Sequence, residues 1–225
     1  MSEINKRTIS GLFLLTLLTL CFLYSFVLII SLIIISTVSW IEFNGLISKI
    51  FAKDIFKTNL IRFFLKALSL IYLFLFSFYI FDGIIQKNFN FVILYLFLIC
   101  ICSDIGGFIF GRIFKGKKLT KISPNKTISG SVGSFILPLF LIPLFYYLLS
   151  YNLNNLFNLI IVAVLVSLIC QIGDLFFSFL KRKAKVKDTG NILPGHGGIL
   201  DRIDGILLAV PSGIFFWNLL LKFGP

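Results

Sequence analysis

The chain has 225 residues, of which 58% are hydrophobic and only 13% charged, and phenylalanine alone occurs 28 times. Several apolar runs approach or exceed the ~18 residues of a transmembrane helix, which excludes a soluble enzyme and leaves one all-α, polytopic bundle as the expected fold. The net charge of +12 does not point to nucleic acid, because the lysines and arginines fall between apolar runs, where topology and anionic lipid account for them.

In chain order, Met1 to Ser10 is a polar tail with Lys6 and Arg7, and Gly11 to Ile41 is almost wholly apolar. That second stretch is long for one span and short for two, so six spans and seven spans both remain open. In Glu42 to Lys57 the residues Phe43, Leu46, Ile47, Ile50 and Phe51 recur at helical spacing between charges, which predicts an interfacial amphipathic helix. Further spans are predicted at Leu60 to Phe81, Phe89 to Phe110, Gly130 to Ser150, Leu156 to Leu180 and Ile203 to Leu221. Pro138 and Pro143 are expected to kink the third of these. The expected division is an N-terminal transmembrane region, 1–88, and a catalytic transmembrane region, 89–225. Three basic clusters, around Lys53, Lys117 and Lys185, predict loops on the cytoplasmic side of a cell (inner) membrane. The four cysteines, Cys21, Cys100, Cys102 and Cys170, sit in apolar runs and read as small buried hydrophobes.

The chemistry concentrates in Gly173 to Asp204, which holds Asp174, Asp188, Asp201, Asp204, the one histidine His196, and the basic run Lys181, Arg182, Lys183, Lys185, Lys187. Carboxylates at a membrane edge mark a functional site by default. Asp174, Ser178 and Lys181 share a helical stripe, and Asp201 and Asp204 share a helical face. Gly195, Gly197 and Gly198 lead into that second helix start, which suits either a bound phosphate or a cap with dipole-compensating acids. Ser103-Asp104 with Gly106-Gly107 reads either as a polar site or as close helix packing beside Arg112. Ser123-Pro124-Asn125-Lys126-Thr127 enters a helix with a lysine and hydroxyls suited to an anion. Carboxylates without a histidine pair favour a hard cation such as Mg²⁺, and Mg²⁺ with lysines and helix starts is the equipment of phosphoryl or nucleotidyl transfer.

These residues resemble the phosphatidate cytidylyltransferase (CDP-diacylglycerol synthase) family. The resemblance is carried by Ser178-x-x-Lys181-Arg182, Lys187-Asp188-x-Gly190 and Pro194-x-His196-Gly197-Gly198-x-x-Asp201-Arg202-x-Asp204. Gln171-x-Gly173-Asp174, Phe110-Gly111-Arg112 and Ser123-Pro124-x-Lys126-Thr127 are similar too, as is Trp40-x-Glu42-Phe43. One position departs: the family usually has Glu before the glycine where this chain has Ser129-Gly130, so Ser129 cannot supply that charge. The resemblance implies transfer of CMP from CTP to phosphatidic acid in the bilayer, giving CDP-diacylglycerol and pyrophosphate. It implies Mg²⁺, with a second cation and a homodimer left open. By position, Asp174 and Asp201 are the best metal ligands, with Asp204 in support, and since they enter from different spans at the same membrane face they are expected to share the ion; with Lys181 they make up the expected catalytic set. Substrate contacts fall to Asp104, Lys126, Ser178, Arg182, Lys187, Asp188, His196, Gly197, Gly198 and Arg202. Two rivals are a CTP-dependent polyprenol or dolichol kinase and a transporter, which would carry its carboxylates deep in several spans. A CDP-alcohol phosphatidyltransferase does not fit, since Asp204-Gly205 is followed by no Arg and no later Asp.

Overall fold

The structure is a computed structural model, and it describes residues 11, 16–52, 56–85, 89–120, 122–148, 154–192 and 197–223. Its named elements are α1 (Ser25–Ile50), α2 (Phe56–Ile85), α3 (Asn90–Phe114), α4 (Ile128–Leu139), α5 (Ile142–Leu148), α6 (Asn154–Lys183) and α7 (Leu200–Phe223). Residues 16–23 are helical as well, up to a break at Tyr24, whose backbone is extended. Helices suit such long apolar runs, because in hydrocarbon every backbone amide needs a partner and a helix supplies it within the segment. Among the described residues six spans are long and apolar enough to cross a membrane: α1, α2, α3, α4 with α5, α6 and α7. The protein is thus an all-α polytopic membrane protein. The tail and the start of Gly11 to Ile41, on which a seventh span depends, lie largely outside the described residues.

The segment expected to be an amphipathic helix is not a separate element. Glu42 to Ile50 is the last part of α1, which runs 26 residues without interruption, or about 39 Å at 1.5 Å per residue. The helical recurrence of Phe43, Leu46, Ile47 and Ile50 is the periodicity of α1 itself. The proline-bearing span is broken rather than bent. Phe140 and Leu141 donate to the carbonyls of Leu137 and Pro138, three residues back, and α5 then restarts with Pro143 in its first turn. Proline has no amide to lose at that position, whereas Pro138 inside α4 removes one helix hydrogen bond.

The chain divides into two compact units. One comprises 1–85 and 180–203, and the other 86–179 and 204–225. In the first, α1 and α2 are tied by a Ser36–Ser77 hydroxyl pair at 2.7 Å and by Trp40 Nε1 donating to the Lys66 carbonyl at 3.2 Å. In the second, the buried Tyr95 of α3 donates to the Leu159 carbonyl of α6 at 2.9 Å and stacks, tilted, on Phe145 of α5.

Glycine decides how closely the helices of the second unit meet. A Cβ on Gly133 of α4 would collide with Phe110 and the Gly106 carbonyl of α3, and one on Gly106 would collide with the Gly133 backbone. Of the two readings of Gly106-Gly107, close packing is therefore the one this contact supports. Likewise Gly173 of α6 lies against Asp204 and Gly205 of α7, with a Cβ at Gly173 reaching 3.0 Å from the Asp204 carbonyl. Gly45 of α1 faces nothing within 4 Å. The expected outcome of thermal unfolding in detergent follows: Gly133→Leu lowers stability by about 1–3 kcal/mol or more through overpacking. Gly45→Ala leaves it unchanged or raises it by up to about 1 kcal/mol through helix propensity.

Candidate functional site

In the first unit the site is built where α6 ends and α7 begins. The sequence stops α6 with a Schellman turn: Val186 N donates to the Lys181 carbonyl and Lys185 N to the Arg182 carbonyl, with Lys185 at φ 57°. Lys181, Arg182 and Lys183 thereby occupy the last turn, where positive charge complements the helix dipole. Lys183 and Lys185, expected in a loop beyond the span, are the last residue of α6 and its left-handed cap residue. From the last turn Lys181 Nζ donates to Asp201 Oδ1 at 2.7 Å, and the two side chains are only 14% and 6% exposed.

Asp201 does more than pair. Its Oδ2 accepts from Thr189 N at 2.8 Å, Gly198 N at 3.0 Å and the Thr189 hydroxyl at 3.0 Å. Glu42, 6% exposed, completes the cluster from α1. Its Oε1 accepts from Ile199 N at 3.1 Å, and its Oε2 accepts from Leu200 N at 2.9 Å and from the Thr189 hydroxyl at 2.8 Å. Three consecutive amides at the start of α7 are therefore given to the protein's own carboxylates. Of the two sequence readings of this glycine-rich start, the geometry is that of the cap; a phosphate placed on these amides has to displace Glu42 or Asp201. A Cβ at Gly190 or Gly198 would overlap the Glu42 carboxylate, and Gly197 has φ +80° with Asp201 and Asp188 beside it. Arg182, Lys187, Asp188 and Arg202 belong to the same unit and are exposed. His196 lies outside the described residues. Glu42 and Thr189 are the residues of this cluster that the sequence reading left out of the site, although Trp40-x-Glu42-Phe43 was part of the resemblance.

The second unit holds a polar cluster of its own. The loop 115–127 folds back on itself: Leu119 N donates to the Lys126 carbonyl at 2.8 Å and Ile128 N to the Lys117 carbonyl at 3.0 Å, with an isolated bridge between Lys118 and Thr127. Thr127 caps α4 by accepting from Gly130 N at 3.1 Å. Ser129 Oγ donates to the Lys115 carbonyl, which closes the loop on the helix start. Lys126, held just before that cap, forms an ion pair with Asp174 Oδ2 of α6. Ser131 of α4 donates to Gln171 of α6. Ser178 is half-buried on α6 and Asp104 is exposed on α3. Asp204 is buried, at 8% exposure, and its Oδ1 accepts from Gly205 N at 2.9 Å.

The donor set can be weighed against a hard cation. Among the described residues no three His, Cys, Asp or Glu side chains converge as a metal cage. Mg²⁺ does not need one, since it uses one or two carboxylates together with water and substrate phosphates. Asp174, half-exposed and with Oδ1 outside its ion pair, fits that requirement. Asp201 and Asp204, as arranged here, have already given oxygens to amides of the chain.

Six long apolar helices with carboxylate–lysine pairs on them define the class as a polytopic integral membrane protein. A sequence model of the cytidylyltransferase family matches residues 1–220, and the chain belongs to that family. It is 45% identical over 120 residues to the phosphatidate cytidylyltransferase of Staphylococcus haemolyticus, covering 53% of this chain and 46% of the relative. It is 42% identical over 138 residues to that of Rickettsia typhi, covering 58% and 59%. To that of Staphylococcus aureus it is 45% identical over 124 residues, covering 53% and 46%. The chain thus spans about half the length of the relatives it matches.

The Lys181–Asp201 pair is buried enough for its loss to be measurable. Lys181→Met and Asp201→Asn are each expected to destabilise by on the order of 3 kcal/mol, because each strands the other partner. The double variant is expected to lose less than the sum, and a thermodynamic cycle from thermal melts reads the coupling.

Proposed function

We propose that this chain is a phosphatidate cytidylyltransferase that transfers CMP from CTP to phosphatidic acid. An oxygen of the phosphatidate phosphate bonds to the α-phosphorus of CTP, the bond from that phosphorus to the β-phosphate bridging oxygen breaks, and pyrophosphate leaves. CDP-diacylglycerol remains in the bilayer. The observation that carries the reading is family membership over 1–220, joined to relatives named phosphatidate cytidylyltransferase at 42–45% identity. The polar clusters are compatible with it. The nucleophile is already anionic at neutral pH, so the chemistry asks less for a base than for cations that let two anions approach. Lys126 and Lys181 are proposed to supply that charge, with Arg182, Lys187 and Arg202 as exposed contacts for phosphate. Asp104, Ser178, Asp188, His196, Gly197 and Gly198 complete the proposed substrate residues.

Mg²⁺ is the proposed cofactor, with Asp174 the carboxylate best suited to hold it and Asp201 and Asp204 the further acids proposed to serve it. When bound, such an ion neutralises charge on the nucleotide phosphates. The proposed location is a cell membrane, with the loops around Lys117 and Lys185 on the cytoplasmic side, as their positive charge favours.

Three measurements test this. The chain in mixed micelles with CTP and phosphatidate is expected to release pyrophosphate only when both are present, and chelation of divalent cations should stop it until Mg²⁺ is returned. Asp174→Asn is expected to cut turnover by about 10²-fold or more, the scale of a lost electrostatic contact in the transition state, with the melting temperature near wild type. Single cysteines at positions 117 and 185 should both resist an impermeant label added outside intact cells. Labelling of one and not the other would break the shared-face topology.

A further inference from the structure

The polar cluster of the first unit contains an arrangement that the proposed chemistry does not itself require. The Thr189 hydroxyl lies 2.8 Å from Glu42 Oε2 and 3.0 Å from Asp201 Oδ2. A threonine hydroxyl has one hydrogen, so it donates to one carboxylate at a time. Glu42 is separated by 157 positions from Ile199, yet its two oxygens take the amides of Ile199 and Leu200 as well. One buried carboxylate of α1 thus holds the first turn of α7 and, through Thr189, the strip of loop that wraps Asp201. Asp201 in turn fixes Lys181. Gly190 and Gly198 leave the space that the Glu42 carboxylate fills.

We propose that Glu42 and Thr189 are positioning residues: they tie Thr189 to the 198–200 start of α7 and set the place and orientation of Asp201 and Lys181 for turnover. The proposal rests on the cytidylyltransferase reading for what Asp201 and Lys181 do, and on the hydrogen bonds alone for how they are held. Glutamine cannot replace Glu42. It offers one carbonyl oxygen where two carboxylate oxygens serve three donors, and its amide NH₂ would face another donor. Valine at 189 keeps the shape of threonine without the hydroxyl, and serine keeps the hydroxyl.

The test uses the whole chain in detergent, with two independent readouts. Hydrogen exchange of the Ile199 and Leu200 amides reports the clamp without reference to activity. CTP-dependent pyrophosphate release, per folded molecule, reports kcat and the KM values for CTP and phosphatidate. Glu42→Gln is expected to speed exchange at both amides and to lower kcat, each by roughly tenfold or more, with KM for phosphatidate near wild type. Thr189→Val should act in the same direction and more mildly, and Thr189→Ser should restore both readouts. Should Glu42→Gln fail to fold, the Thr189 pair decides alone. Unchanged exchange, or faster exchange with unchanged kcat, overturns the positioning role. So does a fall in melting temperature with normal kcat per folded molecule, which is what a merely structural contact gives. If the wild-type chain releases no pyrophosphate, the functional reading falls. Exchange then still decides the clamp, supported if Glu42→Gln speeds it and overturned if it does not.

Discussion

The first turn of α7 begins at a residue that cannot cap it, and the polar structure of the first unit follows from that. The residue before the helix is Ile199, with no side-chain oxygen to offer the amides behind it. In apolar surroundings those amides need acceptors, because each unmet one costs several kcal/mol or about that order. The chain meets them from a distance, with Glu42 of α1, and from within, with Asp201. Once two carboxylates occupy the same helix start, much else is constrained. The loop must carry glycine where the Glu42 carboxylate lies, Thr189 must sit between the acids, and Lys181 offsets part of their charge.

The second unit solves the same problem locally. Thr127 caps α4 with its own side chain, so no distant acid is drawn in, and Lys126 beside it remains available to reach Asp174. What constrains this unit is backbone approach. Gly106 and Gly133 bring α3 and α4 together, and Gly173 and Gly205 bring α6 and α7 together, next to Asp174 and Asp204 in sequence. Asp174 and Asp204 therefore sit on helices that approach each other closely at glycines.

The spans were legible because their signal is compositional: a run of phenylalanine, leucine and isoleucine reads the same in sequence and in structure. Their ends were less legible. α2 starts at Phe56 and α6 continues to Lys183, since lysines in a last turn are helical in backbone while polar in hydropathy. That the stretch after Glu42 continues α1 was not legible, because a helical repeat cannot say whether a helix begins or continues. Within the site, the pairing of Asp201 with Lys181 and of Asp174 with Lys126 involves residues the sequence had already singled out by type and motif. The role of Glu42 was not legible. A lone acid in a mixed segment has no local pattern, and its partners are more than 150 positions away. The glycine-rich start of α7 was ambiguous for a physical reason: a helix start wants an anion, and the local sequence does not say whether that anion is a ligand or a side chain of the same protein.

That ambiguity bears on how an anionic substrate would be recognised. With the amides of Gly198, Ile199 and Leu200 already engaged, recognition of a phosphate would fall to lysine and arginine side chains, whose heads move in a way that backbone amides do not. Position 129 sharpens the same point. Where the resembled family usually has Glu, Ser129 gives its hydroxyl to the Lys115 carbonyl and lies 3.1 Å from the Thr127 hydroxyl. A neutral residue there closes the basic loop by hydrogen bonding and adds no negative charge near Lys126. The carboxylate that meets Lys126 is Asp174. On the proposed cytidylyltransferase reading, a nucleotide phosphate approaching Lys126 would compete directly with Asp174, and a divalent cation on Asp174 would relieve that competition by drawing the carboxylate away from the lysine.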